Sequence, residues 1–307
     1  MPSIGRTDEE SAEKVPYRGT TVSYGHQLTA YNYTQETVAW SQRLGLMPEW
    51  HFTNDFYVRS RFFLFQEFTK SDTTKYLNEV ELSDLWLDAV WAGWREPVTK
   101  IRVGADLRFT FPTSKTSQAI SRLFTIGPSV NVSRAFGPLA LSYSSRFTGR
   151  INRYLTSQNA GGLIINCGVQ VDACIDSTTG RRNIVFDIIH GPTVSFTPHP
   201  RFNIAAIFLL QHGFLPPLAP APEQYANVPE LQVDSGPTRR DFNAFILSAT
   251  WTPHDIVSIS AGTFTFQNQL GSNGQYIFPL FNRNTVVSLD VSIDLEATVS
   301  SLTKEKK

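Results

Sequence analysis

Strict alternation of apolar and polar residues runs along most of this chain. The clearest case lies near its end. Val287, Leu289, Val291, Ile293, Leu295, Ala297 and Val299 share one face of an extended segment, and Ser288, Asp290, Ser292, Asp294, Glu296 and Thr298 share the other. A period of two marks a strand with one face in an apolar medium; in a helix the same carboxylates would scatter around the axis. Segment 101–111 repeats the pattern. Ile101, Val103, Ala105, Leu107, Phe109 and Phe111 oppose Arg102, Gly104, Asp106, Arg108 and Thr110. Leu139, Leu141, Tyr143 and Phe147 oppose Ala140, Ser142, Ser144, Arg146 and Thr148, and Phe56, Val58, Phe62 and Leu64 oppose Tyr57, Arg59, Arg61 and Glu67. Segments 80–94 and 256–266 change phase, near Ser83 and Gly262, as bulges would make them do.

The connections carry a second pattern. Short turns occur near Pro48, Pro97, Pro138, Pro198 and Pro253, and longer polar connections span 113–122, 154–182, 213–239 and 269–283. Strands beginning near residues 20, 55, 79, 99, 123, 138, 183, 200, 240, 255 and 284 leave the long connections on both sides. A weaker strand over 36–46 (ETVAWSQRLGL) brings them to one side and both termini to the other. The expected fold is therefore all-β: a transmembrane antiparallel up-and-down β-barrel of about twelve strands. Trp94, Phe136, Phe196 and Trp251 each sit just before a turn proline, which predicts an aromatic girdle at one membrane interface.

Composition agrees. Charged residues make up 18% of the 307 residues, below the roughly 25% of a soluble domain. Aromatics reach 12%, and no apolar run approaches the roughly 20 residues of a spanning helix. With 27 basic and 27 acidic residues, no basic excess is available for nucleic acid. Residues 1–18 are polar and acidic-rich, without the apolar stretch of an export signal. The expectation is that the numbering begins near a mature N-terminus. The chain divides into a polar tail over 1–18, periplasmic and able to plug the lumen, a barrel over 19–300 and a charged tail over 301–307. Cys167 and Cys174 are the only cysteines and lie in one long connection. A disulfide stapling that loop is expected in an oxidising compartment, with two free thiols as the alternative.

The alternating strands, the asymmetric connections and the Gly-Pro strands IGPSVNVSRAFGP and HGPTVSFTPHP resemble Gram-negative outer-membrane barrels. More loosely, they resemble channels for uptake of small aromatic or hydrocarbon molecules. The resemblance covers about residues 19–300 and implies an outer-membrane location in a Gram-negative bacterium. One departure is the ending, TVSSLTKEKK, which lacks the terminal aromatic usual in such barrels.

With the apolar rows toward lipid, the polar rows line the lumen. The predicted lining is Arg59, Arg61, Arg102, Asp106, Arg108, Arg146, Arg150, Asp187, Asp290, Asp294 and Glu296. These charges can pair and fill the interior, or set a field that selects solutes. No catalytic residue, metal ligand set or cofactor is expected. The sequence has no Gly-x-Ser-x-Gly and no His-Glu-x-x-His, and only His212 has a carboxylate, Asp241, within reach on a neighbouring strand. The expected function is a narrow passive channel for small solutes, not an enzyme. The alternatives are a plugged structural or partner-binding barrel, and a soluble β-sandwich. Expected partners are outer-membrane lipids, a small solute, and a protein at the loops or the periplasmic side.

Overall fold

The computed structural model describes residues 15–29, 39–69, 77–158, 178–217, 238–270, 274–282 and 284–304. Cys167 and Cys174, most of the connections 154–182 and 213–239, and the first fourteen residues of the polar tail lie outside the described residues.

The chain closes on itself. The strands in order are β1 (Thr21–Thr29), β2 (Ala39–Met47), β3 (Glu49–His51), β4 (Phe56–Glu67), β5 (Glu79–Leu82), β6 (Leu85–Arg95), β7 (Arg102–Phe111), β8 (Arg122–Phe136), β9 (Leu139–Asn152), β10 (Thr156–Gln158), β11 (Thr178–Arg182), β12 (Phe186–His199), β13 (Phe202–Phe214), β14 (Arg239–His254), β15 (Val257–Asn268) and β16 (Thr285–Asp294). A short helix, α1 (Lys115–Ala119), precedes β8, and α2 (Leu295–Lys304) follows β16. Neighbours in sequence pair antiparallel, and β1 pairs with β16 to close the sheet. β2 with β3, and β5 with β6, each form one broken wall strand, so the wall has 12 strands. β10 and β11 form a separate hairpin. Closure removes both sheet edges, which is what lets a β-sheet cross lipid.

The weak strand expected over 36–46 is β2, and its nine-residue ladder with β1 and its ladder with β4 complete the wall. The break expected near Ser83 is present. Leu64 opposes Leu82, but Arg61 opposes Trp86, so one extra residue lies between β5 and β6. Ser83 fills the gap by donating its N–H to Phe63 O and accepting Phe63 N–H on its hydroxyl, both at 2.9 Å. A second bulge lies at Gly93, whose φ of +97° and whose approach to Val103 O, 1.9 Å from where a Cβ would stand, leave no room for a side chain.

Three expectations are corrected. Pro48 is not in a turn; it splits β2 from β3, its carbonyl still accepting Ser60 N–H at 2.9 Å, and the turn follows at 52–55. No bulge occurs at Gly262, because the registers with β14 and β16 run through it unbroken. The last strand ends at Asp294 rather than near Val299. Beyond it there is nothing left to pair with: β15 begins at Val257, β1 begins at Thr21, and Leu295 N–H makes a last bond to Thr20 O at 3.1 Å. Asp294 Oδ1 accepts Ala297 N–H at 3.0 Å and caps α2, which Leu295, Glu296 and Ala297 favour. Glu296 is therefore on a helix outside the wall, not in the polar row of a strand.

Candidate functional site: the inner wall

The inward face can be traced around the ring by register. Ser195, Ala205, Ser248, Gly262, Ser288, Gln27, Ser41 and Glu67 oppose one another in turn on eight successive wall strands. These residues are small or polar. One step along each strand brings the outward face, where Leu28, Trp40, Leu247 and Leu289 are exposed.

Arginine–carboxylate pairs line the inner wall from β16 through the seam and round to β12. Asp88, whose side chain is 1% exposed, is the hub. Arg108 Nε and Nη2 grip its two oxygens at 2.6 and 2.9 Å, and Arg59 Nη2 adds a contact at 3.2 Å. A buried carboxylate needs this; a bidentate guanidinium satisfies both oxygens in one plane. Arg59 also reaches Glu49 at 3.6 Å. Arg146 bonds Asp106 at 2.5 Å, and Ser129 donates to the same carboxylate. Arg150 donates to the fully buried Asp187. At the seam, Arg43 reaches across β1 to Asp290 through two bonds of 2.9 and 2.8 Å. Gly25 lies beneath that bridge, and a Cβ there would stand 1.8 Å from Asp290 Oδ1.

Arg61 is different. It has no carboxylate partner among the described residues, and its buried Nε has no hydrogen bond. Its guanidinium lies 5.9 Å from the ring centroid of Trp86, and Arg108 covers the same ring at 4.2 Å.

Among small and polar inward neighbours such as Ala205, Ser248 and Gly262, the inner wall of β13 to β15 carries an apolar group. Register places Ile207 and Leu209 of β13, Phe242 and Ile246 of β14, and Phe264 and Phe266 of β15 on the inward face. Phe242 stacks on Phe266 at 5.3 Å and Phe266 on Phe264 at 6.5 Å. Although register places them inward, Phe264 and Phe266 are 40% and 45% exposed, so the described residues do not cover them. On the outward side at this height, Thr265, Gln267 and Asn243 are buried. The segment around 276–282 covers them, with Gln267 Nε2 donating to Ile277 O at 3.1 Å and Asn282 Nδ2 donating to Gln267 Oε1 at 2.7 Å.

At the long-connection end, α1 is tied to the inward row of β5 and to Asp84 in the link to β6. Asp84 accepts Ser114 N–H at 3.0 Å and Ser117 Oγ–H at 2.5 Å, and Lys115 pairs with Glu79 and Glu81. Glu79 and Glu81 belong to the inward row, opposite Glu67 and Phe65. Among the described residues, the connection 112–121 thus reaches the inward row at this end. At the other end, Arg18 Nη2 donates to Thr53 O at 3.1 Å and His51 N–H to Pro16 O at 2.7 Å, tying residues 15–18 to the rim.

The remaining sequence-predicted residues are placed as follows. Arg102 is exposed at the rim opposite Arg95, away from the paired cluster. Trp94, Phe136, Phe196 and Trp251 are 56%, 46%, 42% and 52% exposed beside short turns. His212 Nδ1 meets Asp241 Oδ1 at 2.8 Å, and the His190 ring stacks on His212 at 5.4 Å while bonding Tyr143 Oη at 2.7 Å. Sequence reasoning missed Arg43, Asp88, Glu49 and the inward phenylalanines. Asp88 and the phenylalanines lie where phase is ambiguous, so alternation alone did not assign their faces. A single carboxylate within the apolar run LWLDAVW was the one available signal for Asp88.

The fold is that of Gram-negative outer-membrane β-barrels. An outer membrane channel from Pseudomonas putida F1 superposes with a TM-score of 0.55 at 13% identity, over 94% of this chain and 99% of that one. The NanC porin and the KdgM porin superpose with TM-scores of 0.45 and 0.44, at 12% and 8% identity, over 90% and 89% of this chain and 98% of each of theirs. No protein-family model matches the sequence, and no curated protein does.

Proposed function

We propose that this barrel is a narrow passive channel for small solutes in the Gram-negative outer membrane. The observation that carries the reading is the direction in which the inner charges pair. Arg108–Asp88, Arg59–Asp88 and Arg150–Asp187 join adjacent wall strands, and Arg146–Asp106 and Arg43–Asp290 each span one intervening strand. Among the described residues no ion pair joins opposite walls. A lumen plugged by its own charges would pair across the interior, because isolated buried charges are costly. Here the described pairs lie down along the wall rather than across the axis. The exposure of the inward Phe264 and Phe266 supports the same reading.

The strand count supports the narrowness proposed here. Twelve strands give an interior wider than an eight-stranded barrel and narrower than a porin. The docked 112–121 segment reduces the mouth further. Exposed Trp94, Phe136, Phe196 and Trp251 serve as the membrane girdle on the short-turn side. The barrel carries solutes by diffusion and performs no reaction on them.

The test is single-channel recording with purified, heat-modifiable barrel in planar bilayers. Stepwise conductance in KCl is the expected result. Folded barrel that inserts without conductance refutes the channel and favours a plugged, partner-binding barrel.

A further inference from the structure

We infer that the lumen selects small organic anions with an apolar body, such as carboxylates bearing an aromatic ring. This deepens the channel reading above and rests on it.

The argument begins with position. In a ring of 12 wall strands, the strand facing any given one lies six steps away. β13 therefore faces β4, β14 faces the β5–β6 strand, and β15 faces β7. On β4, β6 and β7 stand Arg59, Arg61, Asp88, Asp106 and Arg108, and Arg146 reaches in from β9. Facing them stand Ile207, Leu209, Ile246 and Phe264. The lumen is thus two-faced, with a guanidinium cluster on one side and an apolar group on the other.

The charged side is not neutral. Four guanidiniums, those of Arg59, Arg61, Arg108 and Arg146, share three carboxylates, Asp88, Asp106 and Glu49. Asp88 is saturated by Arg59 and Arg108, and Asp106 is occupied by Arg146 and Ser129. Arg61 is left with its charge and, among the described residues, without an acid, 5.9 Å from the Trp86 ring. A guanidinium is permanently charged and matches a carboxylate bidentately. A passing carboxylate supplies the partner that Arg61 lacks.

The apolar side supplies the other half. A solute whose carboxylate meets Arg61 directs its body toward the opposite wall. There an exposed Phe264, continued by Phe266 and Phe242 in a stacked row, offers area to an apolar group. An inorganic anion uses only the first wall, and a neutral aromatic only the second. A molecule with both features gains at both, which concentrates it at the narrow level without trapping it, as passive conduction requires.

The experiment uses the full-length barrel in planar bilayers, with 3-phenylpropanoate, propanoate and benzyl alcohol as probes. The reversal potential in a KCl gradient is expected to show preference for chloride over potassium. Added 3-phenylpropanoate is expected to interrupt the KCl current at about one-tenth the concentration that either other probe needs, the gain expected from partial burial of one ring. Arg61→Gln is expected to abolish that advantage over benzyl alcohol, and Phe264→Ser the advantage over propanoate. The wild-type comparison alone decides the matter if a variant fails to fold. Cation preference, or equal potency of 3-phenylpropanoate and propanoate in a conducting channel, overturns the inference and leaves the channel standing. Absence of any conductance overturns both.

Discussion

The seam where the barrel closes offers the sharpest test of this structure. Arg43 on β2 grips Asp290 on β16 across β1, and only a residue without a side chain fits beneath. In Gly25→Ala the new Cβ would stand 1.8 Å from Asp290 Oδ1 and 2.7 Å from Leu289 O. The carboxylate must swing away, and the two-bond fork at 2.9 and 2.8 Å is lost. Hydrogen bonds to charged groups contribute about 1.5–3 kcal/mol, and the pair here is half-shielded, so the lower half of that range applies. Forcing the Leu289 carbonyl outward adds about 1–3 kcal/mol. The stiffer unfolded chain offsets about 0.4–1 kcal/mol. The net destabilisation is about 2–4 kcal/mol. Reversible urea unfolding in phospholipid vesicles, followed by tryptophan fluorescence, measures it. In an Asp290→Ala background only the backbone contact remains, and the same substitution is expected to cost about 1–2 kcal/mol. A loss below about 0.5 kcal/mol, or an equal loss in both backgrounds, would refute the seam argument, because contacting residues must couple.

Three further outcomes follow from features at the membrane margins. Glu96, in the turn after β6, accepts from Val98 N–H at 3.0 Å, from Thr99 Oγ1 at 2.6 Å and from Thr99 N–H. These bonds, the Thr99 hydroxyl first, hold its carboxyl below the ordinary glutamate range. Its stabilising contribution is therefore present above the unfolded pKa and lost as the pH falls through the depressed folded value. Carboxyl NMR titration in micelles is expected to show the low midpoint, and Thr99→Ala to raise it; an unchanged midpoint rejects the assignment. Asp294→Ala removes the cap of α2 and is expected to cost that helix about 1 kcal/mol, read as faster amide exchange at Ala297 with the barrel ladder unchanged. Single-tryptophan variants retaining Trp94 or Trp251 are expected to be quenched most by lipids brominated near the headgroup, and deeper quenching of either removes it from the girdle.

Alternation and connection length were enough to read the barrel from the residues. Each is local: a strand between lipid and lumen must alternate, as Val287 to Ile293 do, and an oriented barrel must separate short turns from long loops. That second constraint even located β2 in a stretch with a weak pattern. What alternation could not do is assign a face where both faces are apolar. Phe264 and Phe266 read as lipid-facing until the unbroken register through Gly262 turned them inward. Asp88 and Arg43 were hidden for a related reason, since their significance lies in partners 20 and 247 residues away. Nor does the sequence mark where a strand runs out of neighbours, which is why Glu296 belongs to a helix. The amino-acid order determined that this chain alternates and closes, because pleat and backbone pairing are properties of neighbouring residues. Only the closed tertiary structure decided which charges meet and which rows share the inner face, because ladder partners and closure depend on the whole ring.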